Sequence, residues 1–168
     1  GKDFLRTRTY TEEELAQRKK KLVSVINKVH SVSPDTKVIY LMAPNKATVY
    51  PEYLPEWVLE KRVDGVKTRL ELLTEAMQDT DCIFINLTDY LVSKKTDGEF
   101  DEFYLYNKTD THWNELGAYY AYEYLMNEVI AKDFPAAKAI PLSEFDVYPV
   151  EINGGDMKKS SKKGFTPE

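Results

Sequence analysis

The chain contains two histidines, and one of them lies two residues after an aspartate in Asp110-Thr111-His112-Trp113-Asn114. A carboxylate within reach of an imidazole can hold one ring nitrogen and fix its tautomer. The other nitrogen is then free to take a proton from a hydroxyl. In an extended stretch, residues two apart point to the same side, so Asp110 and His112 have suitable spacing. Trp113 can pack against such a site and exclude water. Asn114 is placed to cap a following helix. The pattern alone is short, and Asp110 as a turn residue beside a satisfied, half-buried His112 fits it too. The second histidine, His30, ends a helix, where a C-terminal position favours a cation and a capping or surface role suffices.

Acyl transfer through such a pair needs a nucleophile. The serines are Ser24, Ser31, Ser33, Ser93, Ser143, Ser160 and Ser161. The last two sit in a lysine-rich tail with a flexible look and are poor substitutes. Asp110 and His112 as metal ligands is a weaker idea, because zinc needs more donors at plausible spacing and only one other histidine exists. The acidic run of Asp97, Glu99, Asp101 and Glu102 reads as a solvated turn that could bind calcium weakly.

The elements that must position these residues are legible in outline. Thr11 and Glu14 have capping-box spacing, with Tyr10 as a staple residue. Leu15, Leu22, Ile26 and Val29 then recur at helical spacing, while Arg18 to Lys21 form a solvated face. That helix should end near Ser31 to Pro34. Lys37 to Ala43 reads as a buried strand. The three prolines in 44–55 exclude a long regular element there. Such a loop leaves the C-terminal end of a strand, where open α/β sheets carry ligand sites. A second helix is expected over Glu56 to Gln78, with Val63, Val66, Leu70, Leu73 and Met77 inward. Cys82 to Leu87 reads as a second buried strand, with Cys82 in the core. A short helix is expected over Thr88 to Ser93, then a polar turn through Gly98 and an extended piece over Phe103 to Tyr106. A helix from about Glu115 to Ile130 follows, with Leu116, Tyr119, Tyr120 and Tyr124 inward. Phe145 to Ile152 alternates like a strand. The order predicts one domain over 1–168, an α/β/α sandwich with a mainly parallel sheet and a flexible tail from about 157.

Composition fits a globular chain, with 42% hydrophobic and 30% charged residues. A net charge of −5 argues against nucleic acid as a partner. The 12 tyrosines suit sugar or protein surfaces, and suit ordinary packing better. The single cysteine, Cys82, excludes an internal disulfide and a cysteine zinc cluster. No run is long and apolar enough to span a membrane, and no signal peptide is present. Gly1-Lys2-Asp3 reads like an internal segment.

Longer strings sharpen the picture. Tyr106 to Asn114, followed by Gly117, Tyr119 and Tyr120, resembles the Asp-x-His-Trp motif of the alginate O-acetylation proteins (AlgJ/AlgX type) and the related DHHW proteins. The string from Ala43 to Pro55 looks like a second hallmark of that group. The resemblance covers about Tyr10 to Asp156. It implies an SGNH-hydrolase-like domain of a bacterial O-acetyltransferase or acetylesterase with a Ser-His-Asp triad, Asp110 being the orienting acid and His112 the general base. It implies substrate-binding positions at Asn45, Lys46, Tyr50 and Trp113, although Asn45 and Lys46 could equally be structural. It also implies a polysaccharide substrate, an acetyl donor, a membrane-bound acetyl-transfer partner, no cofactor, and an extracytoplasmic location with the targeting segment outside this sequence. In this group the serine follows much later than the Asp-x-His. No serine here follows Gly-Asp, the usual setting of such a nucleophile. Gly155-Asp156-Met157 looks instead like the Gly-Asp-Leu-type segment that precedes it. Two readings therefore stand. The serine lies beyond Glu168, with the C-terminal strand-helix unit missing from this chain. Alternatively, the protein is a short form that serves as a non-catalytic glycan-binding or assembly module. The end, 162–168, does not read as a completed element and favours the first.

Overall fold

A computed structural model of the chain describes residues 2–96, 103–148 and 154–156. The chain divides into two compact units, Gly1–Thr88 and Asp89–Glu168.

The first unit opens on α1 (Glu12–Val32). Thr11 Oγ1 accepts from the Glu14 N–H and the Glu14 carboxylate accepts from the Thr11 N–H, so the capping box forms as its spacing requires. Tyr10 and Leu15 flank that cap and pack against one hydrophobic cluster, the staple arrangement. The centre of the cluster is Leu22 and Ile26 of α1 with Leu73 and Met77 of a later helix. His30 closes α1, with Nε2 at 2.9 Å from the Thr36 carbonyl.

β1 (Ile39–Met42) and β2 (Ile83–Asn86) pair in parallel, Ile39 opposite Ile83 and Met42 opposite Asn86. Cys82 and Phe84, two apart on one face, both meet the α1 cluster. Tyr40 stacks on Phe84 at 5.4 Å and stays 44% exposed, so β1 is not the fully buried strand its composition suggested. Cys82 is half-buried, and burial pushes its thiol pKa up. The unit is thus an α/β arrangement of helices on a small parallel sheet, coarser than the three-layer sandwich expected.

The helix expected over Glu56 to Gln78 is broken. α2 (Lys46–Val49) and a 3-10 turn at Pro51–Tyr53 fill the proline-rich loop, and α3 (Glu56–Leu59) follows for one turn. The chain then turns through Asp64-Gly65, where Gly65 takes φ +72°, a conformation that only glycine adopts freely. α4 (Arg69–Met77) starts afresh with its own capping box, Thr68 and Glu71. That second Thr-x-x-Glu signal competes with continuation and wins, because it satisfies the new helix's first N–H groups locally. Leu73 and Met77 face the core as expected, while Val63 lies exposed.

In the second unit, α5 (Thr88–Ser93) and α6 (Glu115–Tyr124) follow the sequence reading. α6 runs on through a π-helical turn, Leu125–Val129, and a 3-10 turn, Ile130–Lys132. Its buried face is Gly117, Tyr120 and Ala121, with Leu116, Tyr119 and Tyr124 only half-buried. Glu123 accepts from the Tyr90 hydroxyl and pairs with Lys94 Nζ at 3.0 Å. Lys94 also lies over the Tyr90 and Tyr120 rings. The strand expected over Phe145 to Ile152 does not form in its described part. Leu142–Glu144 is a 3-10 turn and 145–148 is irregular, with Phe145 packed edge-on against the Tyr119 ring rather than paired along a strand. Residues 149–152 lie outside the described residues, as do the acidic run 97–102 and the tail from 157.

Candidate active site

The segment carrying Asp110 and His112 is a loop pinned at its base. Tyr106 and Trp113 form an isolated antiparallel bridge. Beside it, the Asn114 N–H donates to the Leu105 carbonyl at 2.9 Å, and Asn114 Nδ2 donates to the Tyr104 carbonyl at 2.6 Å. Asn114 Oδ1 accepts from the Gly117 N–H at 3.0 Å and caps α6, as its position predicted. Gly117 is what allows this fit. A Cβ there would lie 2.5 Å from the Leu105 carbonyl oxygen and 2.9 Å from Trp113 Cβ.

At the loop's far end, Asp110 Oδ1 accepts from the His112 backbone N–H at 2.9 Å and meets His112 Nδ1 at 2.7 Å. The first of these bonds closes a turn over two residues, so the pairing comes from an Asx turn rather than from extended alternation. Both acidic and basic partners shift accordingly. The His112 backbone N–H, then its ring, hold the Asp110 carboxyl down to about 2. The Asp110 hydrogen bond and charge raise the imidazole above its ordinary 6.5, and the Asp156 carboxylate adds in the same direction. An ionised carboxylate can only accept, so Nδ1 carries a proton and, in the neutral ring, Nε2 presents its lone pair. Among the described residues nothing hydrogen-bonds Nε2, and the side chain is 78% exposed. The structure therefore does not bear out Trp113 as a shield against water. Trp113 is half-buried in the loop's base, where its backbone serves the bridge.

A third segment reaches the pair from 45–46 residues away. The Gly155 N–H donates to Thr109 Oγ1 at 2.9 Å, and the Asp156 N–H to Asp110 Oδ2 at 3.3 Å. Asp156 Oδ1 accepts from the Thr111 N–H at 2.9 Å, and its other oxygen from the Thr111 hydroxyl. Sequence reasoning noticed Gly155-Asp156 only as a family landmark; its Gly-Asp pairing was the signal. Asp110, His112 and Asp156 each place one donor atom within 4.8 Å of the others. Three donors fall one short of a closed structural zinc set, and a metal on Nδ1 would displace the proton shared with Asp110.

Asn45, Lys46 and Tyr50 belong to the first unit, whereas Asp110, His112 and Trp113 belong to the second. Asn45 Nδ2 donates to Asp3 at 2.8 Å, and Asp3 is also held by Arg69 at 2.9 Å. Lys46 is half-buried at the start of α2. Tyr50 is 7% exposed and packs on Tyr53, so little of it is open to a ligand. In the second unit, an open groove of about 750 Å³ adjoins the loop; its walls include Tyr104, Lys108, Glu115, Tyr119, Phe145 and Tyr148. Aromatic rings with a few polar or charged groups are a common lining of small-molecule sites. Among the described residues no serine hydrogen-bonds His112: Ser31 donates to the Lys28 carbonyl, Ser93 to the Tyr90 carbonyl, and Ser33 Oγ accepts from the Thr36 hydroxyl.

The family model for the SGNH hydrolase-like domain of the acetyltransferase AlgX matches residues 3–163. No curated protein and no solved structure matches the chain at a significant level.

Proposed function

The chain belongs to the family of SGNH hydrolase-like domains of the acetyltransferase AlgX, and from that premise we propose that it supplies the acid–base pair of an acetyl-transfer centre acting on hydroxyls of a cell-envelope polysaccharide. The observation that carries this reading is the Asp110 carboxylate on His112 Nδ1 at 2.7 Å, with Nε2 exposed. In the first half-reaction, Nε2 takes the proton of a serine hydroxyl as its oxygen bonds the acetyl carbon. The donor's carbon–oxygen bond then breaks, and the imidazolium returns that proton to the leaving oxygen. In the second half-reaction, a sugar hydroxyl (transferase) or water (esterase) is deprotonated in the same way and releases the serine. Asp110 stabilises the transient imidazolium and fixes its tautomer.

The serine of this scheme lies beyond Glu168, together with the strand-helix unit that would complete a three-layer sandwich. The acetyl donor reaches it through a membrane-bound partner. No helix among the described residues is long and apolar enough to cross a membrane. An extracytoplasmic location belongs to the same proposal.

The test is acetyl-ester turnover by the full-length gene product. His112→Ala should lower kcat by roughly 10²–10⁴-fold, and residues 1–168 alone should give none. Equal turnover in wild type and variant refutes the base role. Turnover by 1–168 that vanishes with His112→Ala refutes a downstream serine. The alternative, a non-catalytic glycan-binding or assembly module, draws on one fact: no described serine bonds His112. A reading frame that stops without a Gly-Asp-Ser string, with glycan binding retained, favours it.

A further inference from the structure

We infer that Gly155 and Asp156 are positioning residues that lock the Asp110–His112 pair, a role that for catalysis rests on the reading above but is visible without turnover. Three consecutive residues of the loop are each held by this one segment. Thr109 Oγ1 receives the Gly155 N–H, Asp110 Oδ2 receives the Asp156 N–H, and the Thr111 N–H and hydroxyl both donate to the Asp156 carboxylate. Asp110 is thereby gripped from two sides: one oxygen is committed to His112, and the other to the incoming backbone.

The loop's own restraints include the bridge at its base, the Asp110 N–H on the Asn107 carbonyl at 3.2 Å and the two-residue turn. Its tip is exposed, so its geometry needs outside support. Gly155 is the only residue type that permits the approach. A Cβ there would fall 2.5 Å from Asp110 Cβ and 2.6 Å from the Thr109 carbonyl oxygen, inside any allowed contact. Among the described residues the charged groups facing the imidazole are Asp110 at 2.7 Å and Asp156 at 3.8 Å. The second distance is too long for a hydrogen bond, so Asp156 acts on the ring through the loop and its field rather than by direct contact.

The experiment is nitrogen-15 NMR of the His112 ring in the chain, with Thr111 amide exchange, for wild type, Asp156→Asn, Asp156→Ala and Gly155→Ala. Asp156→Asn keeps an acceptor for Thr111 and should retain the Nδ1–H tautomer while lowering the ring pKa. Asp156→Ala and Gly155→Ala should lose the single tautomer and expose the Thr111 amide. Protection of the Gly117 amide, which Asn114 caps in the same unit, reports whether each variant is folded. If a folded Gly155→Ala, with its Asp156 charge intact, leaves tautomer and exchange unchanged, positioning is refuted. So it is if Asp156→Ala changes the ring pKa but not the tautomer. In the full-length gene product, the positioning role predicts a kcat loss of roughly 10²-fold with KM little changed. An inert wild-type enzyme with intact NMR signatures would sink the acetyl-transfer reading and leave the clamp standing.

Discussion

Removing the His112 imidazole while keeping its backbone N–H separates the two grips on Asp110. In the wild-type chain the carboxyl sits at about 2 against an ordinary 3.8, the backbone N–H contributing most and the ring next. At pH 3 a carboxyl of pKa 2 is about nine-tenths ionised, and one of pKa 3.8 about one-seventh. A carbon-13 titration of Asp110 Cγ, assigned by difference from Asp110→Asn, resolves these easily. His112→Ala should move the midpoint up but leave it below 3.8, because the turn-closing N–H bond at 2.9 Å survives. His112→Pro lacks that N–H and should go further. The same shifts fix the sign of the stability change. A depressed carboxyl contributes stability that is present above 3.8 and is lost as pH falls toward 2. The raised imidazole contributes stability that is present below 6.5 and is lost as pH rises through its folded value. The charge pair is therefore strongest between about pH 4 and 6.5, and wild type should lose more stability than Asp110→Asn on acidification from pH 4 to 2. A wild-type midpoint at 3.8, or an unchanged midpoint in His112→Ala, would refute the geometry from which the site is argued.

Two further outcomes follow from packing in the second unit. Gly117→Ala should destabilise the chain by roughly 1–3 kcal/mol despite alanine's better helix propensity, because the added Cβ meets the Leu105 backbone; a raised melting temperature would contradict this. Glu123→Gln should cost about 1.5–3 kcal/mol in chemical denaturation, since Lys94 and Glu123 are only 23% and 22% exposed. It should also lower the Tyr90 phenol pKa, which burial, and then Glu123, holds well up; an unchanged ultraviolet titration would contradict that.

The sequence by itself determined what short-range chemistry decides. Both ends of α1, the Asn114 cap, the parallel strand pair and the Asp110–His112 partnership are set by groups within a few residues of one another or by simple periodicity. Even there, the reason for the pairing came from tertiary detail: an Asx turn held by a bridged loop, not an extended segment. Overlooked local signals account for the broken helix at 60–68, where Asp64-Gly65 and the Thr68–Glu71 box were outweighed by a helical apolar pattern. What only the tertiary structure decided is the company the site keeps. Asp156 reaches Thr111 across 45 residues of sequence, and no spacing rule encodes a contact of that span. The resemblance implies Tyr50 as a substrate-binding position, and the fold leaves it 7% exposed, since burial depends on what folds over a residue rather than on its neighbours in the chain. The Asp-x-His string thus placed a carboxylate beside an imidazole, and the fold supplied the Gly155–Asp156 segment that bonds to Thr109, Asp110 and Thr111.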